Sequence, residues 1–129
     1  MVIRDRKGNF FVHRRNKDKK FFPGKYGLGA GGRLEPNEEP LAAAQRELQE
    51  ETGLTEKVKL LFDISYTDET VTHTIYVNEV IIIQNHDAEW DWSGWMSKAE
   101  VDTLAADKEL MPDAIQLYEQ YLARADVTI

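Results

Sequence analysis

Apolar and polar residues alternate along one stretch of the chain, Val58, Leu60, Phe62, Ile64 and Tyr66, and a period of two predicts a half-buried strand. Asp68-Glu69 marks its turn, and Val71 to Ile83 follows as a long strand. The unbroken run Val80-Ile81-Ile82-Ile83 predicts a central segment covered on both faces. Upstream, Met1 to Arg4 and Phe10 to Arg14 read as two arms of a hairpin around Asp5-Arg6-Lys7-Gly8-Asn9. Lys25 to Ala30 reads as a glycine-rich strand running into Gly31-Gly32, a pair that lets backbone approach a ligand closely. Between these strands the spacing becomes helical. Leu41, Ala44 and Leu48 fall on one stripe, Pro40 suits the first turn and Gly53 the stop. Trp90, Trp92 and Trp95 precede Ser97-Lys98-Ala99-Glu100, a capping box that opens a helix to about Asp107. Met111-Pro112 begins a last helix whose apolar face is Ile115, Leu117, Tyr118, Tyr121 and Leu122. Strands on both sides of one helix, then helices, predict an α/β (α+β) chain with a mixed sheet between helices.

The 129 residues suit a single domain, 1–129, around one core, and a hydrophobic share of 42% with 30% charged is ordinary for a globular protein. No stretch approaches the roughly 18 apolar residues of a membrane helix, and no signal-peptide pattern opens the chain, so no membrane partner is expected. The absence of cysteine excludes disulfides and thiolate metal sites, in agreement with the cytoplasmic location expected here.

The helix predicted from Pro40 carries the chemistry. Glu47, Glu50 and Glu51 stand at i, i+3 and i+4 on the face beside the apolar stripe, with small Ala43 beneath them and Gln45 and Gln49 toward solvent. Three glutamates on a helix are ordinarily a solvated face. Here Glu47 and Glu51 repel at i,i+4, and only Arg46, four residues before Glu50, offers local relief. A divalent cation would neutralise the cluster, and an oxygen-only donor set points to Mg²⁺, with Mn²⁺ as a substitute. Nothing suggests an activated serine, and without cysteine a covalent route is disfavoured.

The net charge of −7 divides along the chain. Residues 1–33 hold ten Lys/Arg and two Asp, whereas residues 34–129 hold six Lys/Arg and twenty-one Asp/Glu. Folded beside the acidic helix, the basic segment would meet a polyphosphate from the other side, with Arg14, Arg15 and Lys25 as its phosphate contacts. The acidic remainder argues against a long nucleic-acid footprint.

From Gly32 to Leu54 the chain reads G-x5-E-x7-R-E-U-x-E-E-x-G-U, with U an aliphatic residue. The chance of that match is on the order of 10⁻¹⁰ to 10⁻⁹ per starting position. The pattern resembles the signature of the Nudix hydrolases at every defined position. That resemblance implies an α/β/α sandwich and Mg²⁺-dependent cleavage of a diphosphate linkage in a small nucleoside diphosphate derivative, by attack of water at phosphorus. It implies Glu50 and Glu51 as metal ligands, Glu47 as a further ligand or the base that activates water, and Arg46 as the residue that orients Glu47. Gly31 would lend a backbone carbonyl to the metal and Glu89 one more carboxylate, while Glu38 would support the helix start. Relatives commonly carry more chain before the first strand, so an N-terminal extension is expected, and a homodimer stays open. Ala30-Gly31-Gly32, Arg14-Arg15 and Met111-Pro112-Asp113 are most similar to the isopentenyl-diphosphate-isomerase-like branch, but its isomerases need a cysteine that is missing here. Two alternatives accompany the hydrolase: a non-catalytic nucleotide sensor, and a pyrophosphatase acting on RNA ends. His13 and His73 are read as paired strand histidines before substrate contacts, and Trp95 as core.

Overall fold

The computed structural model describes residues 1–20, 22–30, 34–68, 70–82 and 92–124; the side chains at 68, 82, 92 and 124 lie outside that description. Its strands are β1 (Val2–Asp5), β2 (Phe10–Arg14), β3 (Tyr26–Leu28), β4 (Lys59–Asp68), β5 (Val71–Ile82) and β6 (Trp92–Met96). Its helices are α1 (Pro40–Thr52), α2 (Lys98–Ala106) and α3 (Pro112–Arg124). The strands form one mixed sheet in the order β3-β2-β1-β5-β4, with β6 laid against β2. Among the described strands, β1 and β5 run parallel, from Val2↔Glu79 to Asp5↔Ile82, and the other strand pairs are antiparallel.

Alternation along the short strands supplies both layers. Val2, Phe10 and Val12 point to the face covered by Leu117, Tyr118 and Tyr121 of α3 and Val101 of α2. Ile3 and Phe11 point to the other face, where they pack with Ala44 and Leu48 of α1, with Val58 and with Val80. The sheet thus lies between α1 and the C-terminal helices. The α2 capping box closes as expected, Glu100 donating its N–H to Ser97 Oγ and Ser97 its N–H to the Glu100 carboxylate. No helix among the described residues is long and apolar enough to cross a membrane.

Two sequence expectations need correction. The alternation from Val58 to Tyr66 breaks at a bulge between Leu60 and Phe62, where one extra residue resets the register. Leu61 and Phe62 therefore both pack toward the α3 core, and Leu60 is 40% exposed. In the apolar run of β5, Val80 is buried but Ile81 is 43% exposed, so the segment is covered on one face only. Ile83 lies outside the described residues.

One buried polar chain crosses the α3 face. Arg4 is only 8% exposed, stands over the Phe10 ring at 5.3 Å and donates from Nη1 to the Tyr121 hydroxyl at 3.2 Å. Tyr121 in turn donates to the Glu79 carboxylate. Burial, with the Glu79 bond behind it, pushes the Tyr121 hydroxyl up to about 12.

Leu48, fully buried, is the peg that docks α1 on the sheet. Leu48→Ala should cost about 2–5 kcal/mol in urea unfolding, whereas Leu41→Ala, at a site 42% exposed, should stay within about 0.5 kcal/mol. Equal losses at the two positions would contradict this docking.

Candidate active site

The local sequence explains where α1 begins and ends. Glu39 is extended at φ −72°, Pro40 opens the first turn, and Gly53 closes the helix at φ 75° with its N–H donating to Gln49 O. The exposure of Leu41 narrows the expected stripe to Ala44 and Leu48, and Ala43, expected beneath the glutamates, is buried as well. Gln45, expected in solvent, instead staples the following loop. Its amide donates to Glu56 O at 2.8 Å and accepts from Val58 N–H at 3.0 Å.

Before the helix, residues 35–38 form a turn in which Glu38 N–H donates to Glu35 O and Asn37 takes φ 62°. The turn folds Glu38 back over α1. There Arg46 grips it with two parallel bonds, Nε to Oε2 at 2.8 Å and Nη2 to Oε1 at 2.9 Å. The third nitrogen, Nη1, lies 3.0 Å from Glu47 Oε1 and 3.0 Å from Glu50 Oε2. One guanidinium thus links three carboxylates. Glu47 is well covered, its side chain 14% exposed, whereas Glu50 is 58% exposed. The bonds from Arg46 hold the Glu38 carboxyl well below the usual range, at about 2, and the same pairing raises the Arg46 pKa.

Glu51 is half-buried and sits on the Met1 side of the helix. The Met1 ammonium donates to Ala30 O at 2.8 Å; burial lowers its pKa to about 6, and the charge of Glu51 is the leading influence pulling it back up. Ala30 O and the Glu51 carboxylate thus both act on the Met1 amine. Gly31 and Glu89, the other two expected metal donors, lie outside the described residues.

Arg14 and Arg15 end β2. Arg14 is paired in register with Tyr26 and Trp92, and Arg15 N–H donates to Lys25 O at 2.8 Å. Lys25, the third expected phosphate contact, donates from its ammonium to Lys108 O at 3.1 Å and lies 3.6 Å from Glu109. The reason is the α2–α3 connection, which runs along β3 through Tyr26 N–H to Glu109 O and Met111 N–H to Tyr26 O.

His13, expected as a paired strand histidine, lies in β2. Its Nδ1 lies 2.7 Å from Gly29 O, and because a carbonyl only accepts, Nδ1 carries the proton. Burial pushes the imidazole down to about 4, against the opposing pull of the Gly29 bond; Met1 and Arg15 lower it further.

Residues 1–121 match the model of the NUDIX domain. An uncharacterised Nudix hydrolase of Streptomyces coelicolor is 31% identical over 126 residues, 93% of this chain and 70% of that protein. A second, YfcD of Escherichia coli K12, is 39% identical over 54 residues, 42% of this chain and 30% of the relative. Among solved structures, the MutT protein of Methanosarcina mazei superposes with a TM-score of 0.75 at 21% identity, covering 98% of this chain and 91% of its own. The NUDIX domain of Shewanella oneidensis NrtR, solved with ADP ribose, superposes with a TM-score of 0.68 at 21% identity, covering 95% and 83%.

A carboxyl pKa near 2 against an ordinary value of 4.5 means that the Glu38–Arg46 pair contributes stability above about pH 4.5 and loses it as pH falls toward 2. A carboxyl ¹³C titration should place Glu38 near 2 and return it toward 4.5 in Arg46→Met. A midpoint unmoved by that substitution would refute the grip.

Proposed function

This chain belongs to the Nudix family of hydrolases acting on phosphoric anhydrides, and we propose that it is a Mg²⁺-dependent member cleaving the diphosphate linkage of a small nucleoside diphosphate derivative. The observation that carries this reading is the convergence of Glu47 and Glu50 on a single cationic nitrogen of Arg46, with Glu51 one residue further along the same helix.

The donor set suits a hard divalent cation. As the side chains stand, no three acidic groups among the described residues close into a metal-holding cluster. Glu50 is the member that must swing, and its exposure leaves it room to do so. Arg46 keeps both bonds to Glu38 when Glu50 leaves. Glu47, Glu50, Glu51, the Gly31 carbonyl and Glu89 are the proposed holders. The bound ion would supply charge neutralisation at the phosphoryl oxygens and acidify a water, with Mn²⁺ as substitute.

Chain groups do the rest. Glu47, held by Arg46, is the carboxylate oriented to accept the proton of the attacking water, and Glu50 is the alternative base once released. Arg46 acts as the positioning residue for both. Arg14, which ends β2, and Arg15, which follows it, are the proposed phosphate contacts. Lys25 serves the α2–α3 loop instead.

A second reading, a nucleotide sensor without turnover, draws on one observation: the NrtR domain that shares this fold was solved with ADP ribose. The complete set Glu47, Glu50 and Glu51 favours the hydrolase. Action on RNA ends would require binding that weakens steeply with salt.

The test is phosphate release, with coupled phosphatase or pyrophosphatase, from nucleoside triphosphates, nucleotide sugars, dinucleotides, ADP-ribose and coenzyme A. Turnover should vanish with EDTA and fall about 10²–10⁴-fold in Glu47→Gln. Arg15→Ala should raise KM more than it lowers kcat. Tight nucleotide binding without turnover on any member would replace this reading with the sensor.

A further inference from the structure

Phe22 holds a backbone conformation that its own chemistry disfavours. Its φ is +50°, a region bulky side chains rarely adopt, and the proline that follows restricts it further toward extended backbone. Glycine would carry that φ at little cost, yet the position holds a phenyl ring that is 47% exposed. The ring belongs to neither core cluster, and among the described residues it pairs with no other aromatic ring. Burial therefore returns little against the strain. Outliers of this kind collect where a ligand is held.

The surroundings indicate which ligand. The chain leaves β2 at Arg14 and enters β3 at Tyr26, and the connecting loop is tied at its neck. Arg15 N–H donates to Lys25 O at 2.8 Å, and Gly24 N–H donates to Arg15 O at 3.2 Å. Lys25 N–H closes on Phe22 O at 3.2 Å, with Pro23 and Gly24, the latter at φ 72°, as the central pair of the turn. The turn that carries the ring is thus bonded directly to the backbone of Arg15. A Cβ on Gly24 would meet nothing within 4 Å, so this turn stands clear on that side. Alternation along β2 sets Phe11 and His13 on one side of the sheet, where Phe11 packs with Ala44 and Leu48 of α1. Arg15, still bonded to the neighbouring strand, is next in that series and continues the α1 side. Exposed Lys17, Lys19 and Lys20 make the same loop cationic. An apolar ring fastened beside cations suits a nucleobase linked to phosphates, since every base has a face to stack and its phosphates seek positive charge.

We propose, resting on the hydrolase reading of the site, that Phe22 is the stacking platform for the base of the nucleotide whose phosphates meet Arg15. The β2–β3 loop then selects anhydrides that carry an aromatic base over bare diphosphates. The ring takes no part in bond cleavage.

The test is calorimetry in Mg²⁺ with two ligands that resist cleavage and share one diphosphonate. One is α,β-methylene-ADP, which carries adenosine; the other is methylenediphosphonate, which does not. In Phe22→Ala the affinity for α,β-methylene-ADP should fall about 5–100-fold, the loss expected for one stacked base, while methylenediphosphonate should change less than about twofold. Phe22→Trp, with a larger ring, should hold α,β-methylene-ADP within about threefold of wild type. Phe22→Gly relieves the positive φ, so its Tm should rise by about 2–5 °C while the gain from adenosine is lost. Three results overturn the stacking role and leave the hydrolase reading to its own turnover assay: unchanged α,β-methylene-ADP affinity in Phe22→Ala or Phe22→Gly, equal losses for both ligands, or no gain from adenosine in the wild type. Wild-type protein that binds neither ligand and cleaves no anhydride removes both.

Discussion

Like charges on one helix face are the constraint from which the site follows. Glu47, Glu50 and Glu51 sit within two turns of α1, where carboxylates three and four residues apart repel. Burial of Leu48 denies the helix the freedom to turn that face away, because the same rotation would lift the peg from the sheet. Relief must come from cations, and the chain supplies one. Arg46 neutralises Glu47 and Glu50 through a single nitrogen while the rest of its guanidinium is committed to Glu38. Arginine suits this post because its planar fork can hold one carboxylate bidentately and still offer a further donor. A lysine would have to choose among them.

The sheet delivers the other wall. β1, β2 and β3 meet where Gly29 crosses Met1, and the Gly29–Ala30 backbone is pinned there by Phe11 O, Met1 O and His13. On the far side of the sheet, Arg4, Tyr121 and Glu79 tie β1 and β5 to α3. An unpaired Arg4 in that core would carry a large desolvation cost, so the chain of bonds supports the parallel pairing of β1 and β5. Rigidity on one face supports geometry on the other.

Much of this was legible in the sequence because the signals were local. The capping box at Ser97, the stop at Gly53, the docking stripe at Ala44 and Leu48 and the carboxylate face of α1 all follow from spacing within one helix. What was missed depends on partners far along the chain. Leu41 looked like core by periodicity, yet it is 42% exposed. Gln45 gained its role from Glu56 and Val58, and Lys25 from Lys108 and Glu109. The bulge after Leu60 shifts the strand by one residue, which no alternation pattern announces. His13 carries a signal only in hindsight: a strand histidine whose neighbouring strand holds glycines at 27 and 29.

In the proposed metal-bound state Glu50 exchanges Arg46 for a divalent cation, while Arg46 stays on Glu38. Anomalous diffraction from crystals grown with Mn²⁺ tests it most directly. The expected result is a peak ligated by Glu47, Glu50 and Glu51, with Glu50 withdrawn from Arg46 and both bonds between Arg46 and Glu38 intact. Saturating Mn²⁺ that leaves Glu50 on Arg46 and places no anomalous peak on α1 would contradict it.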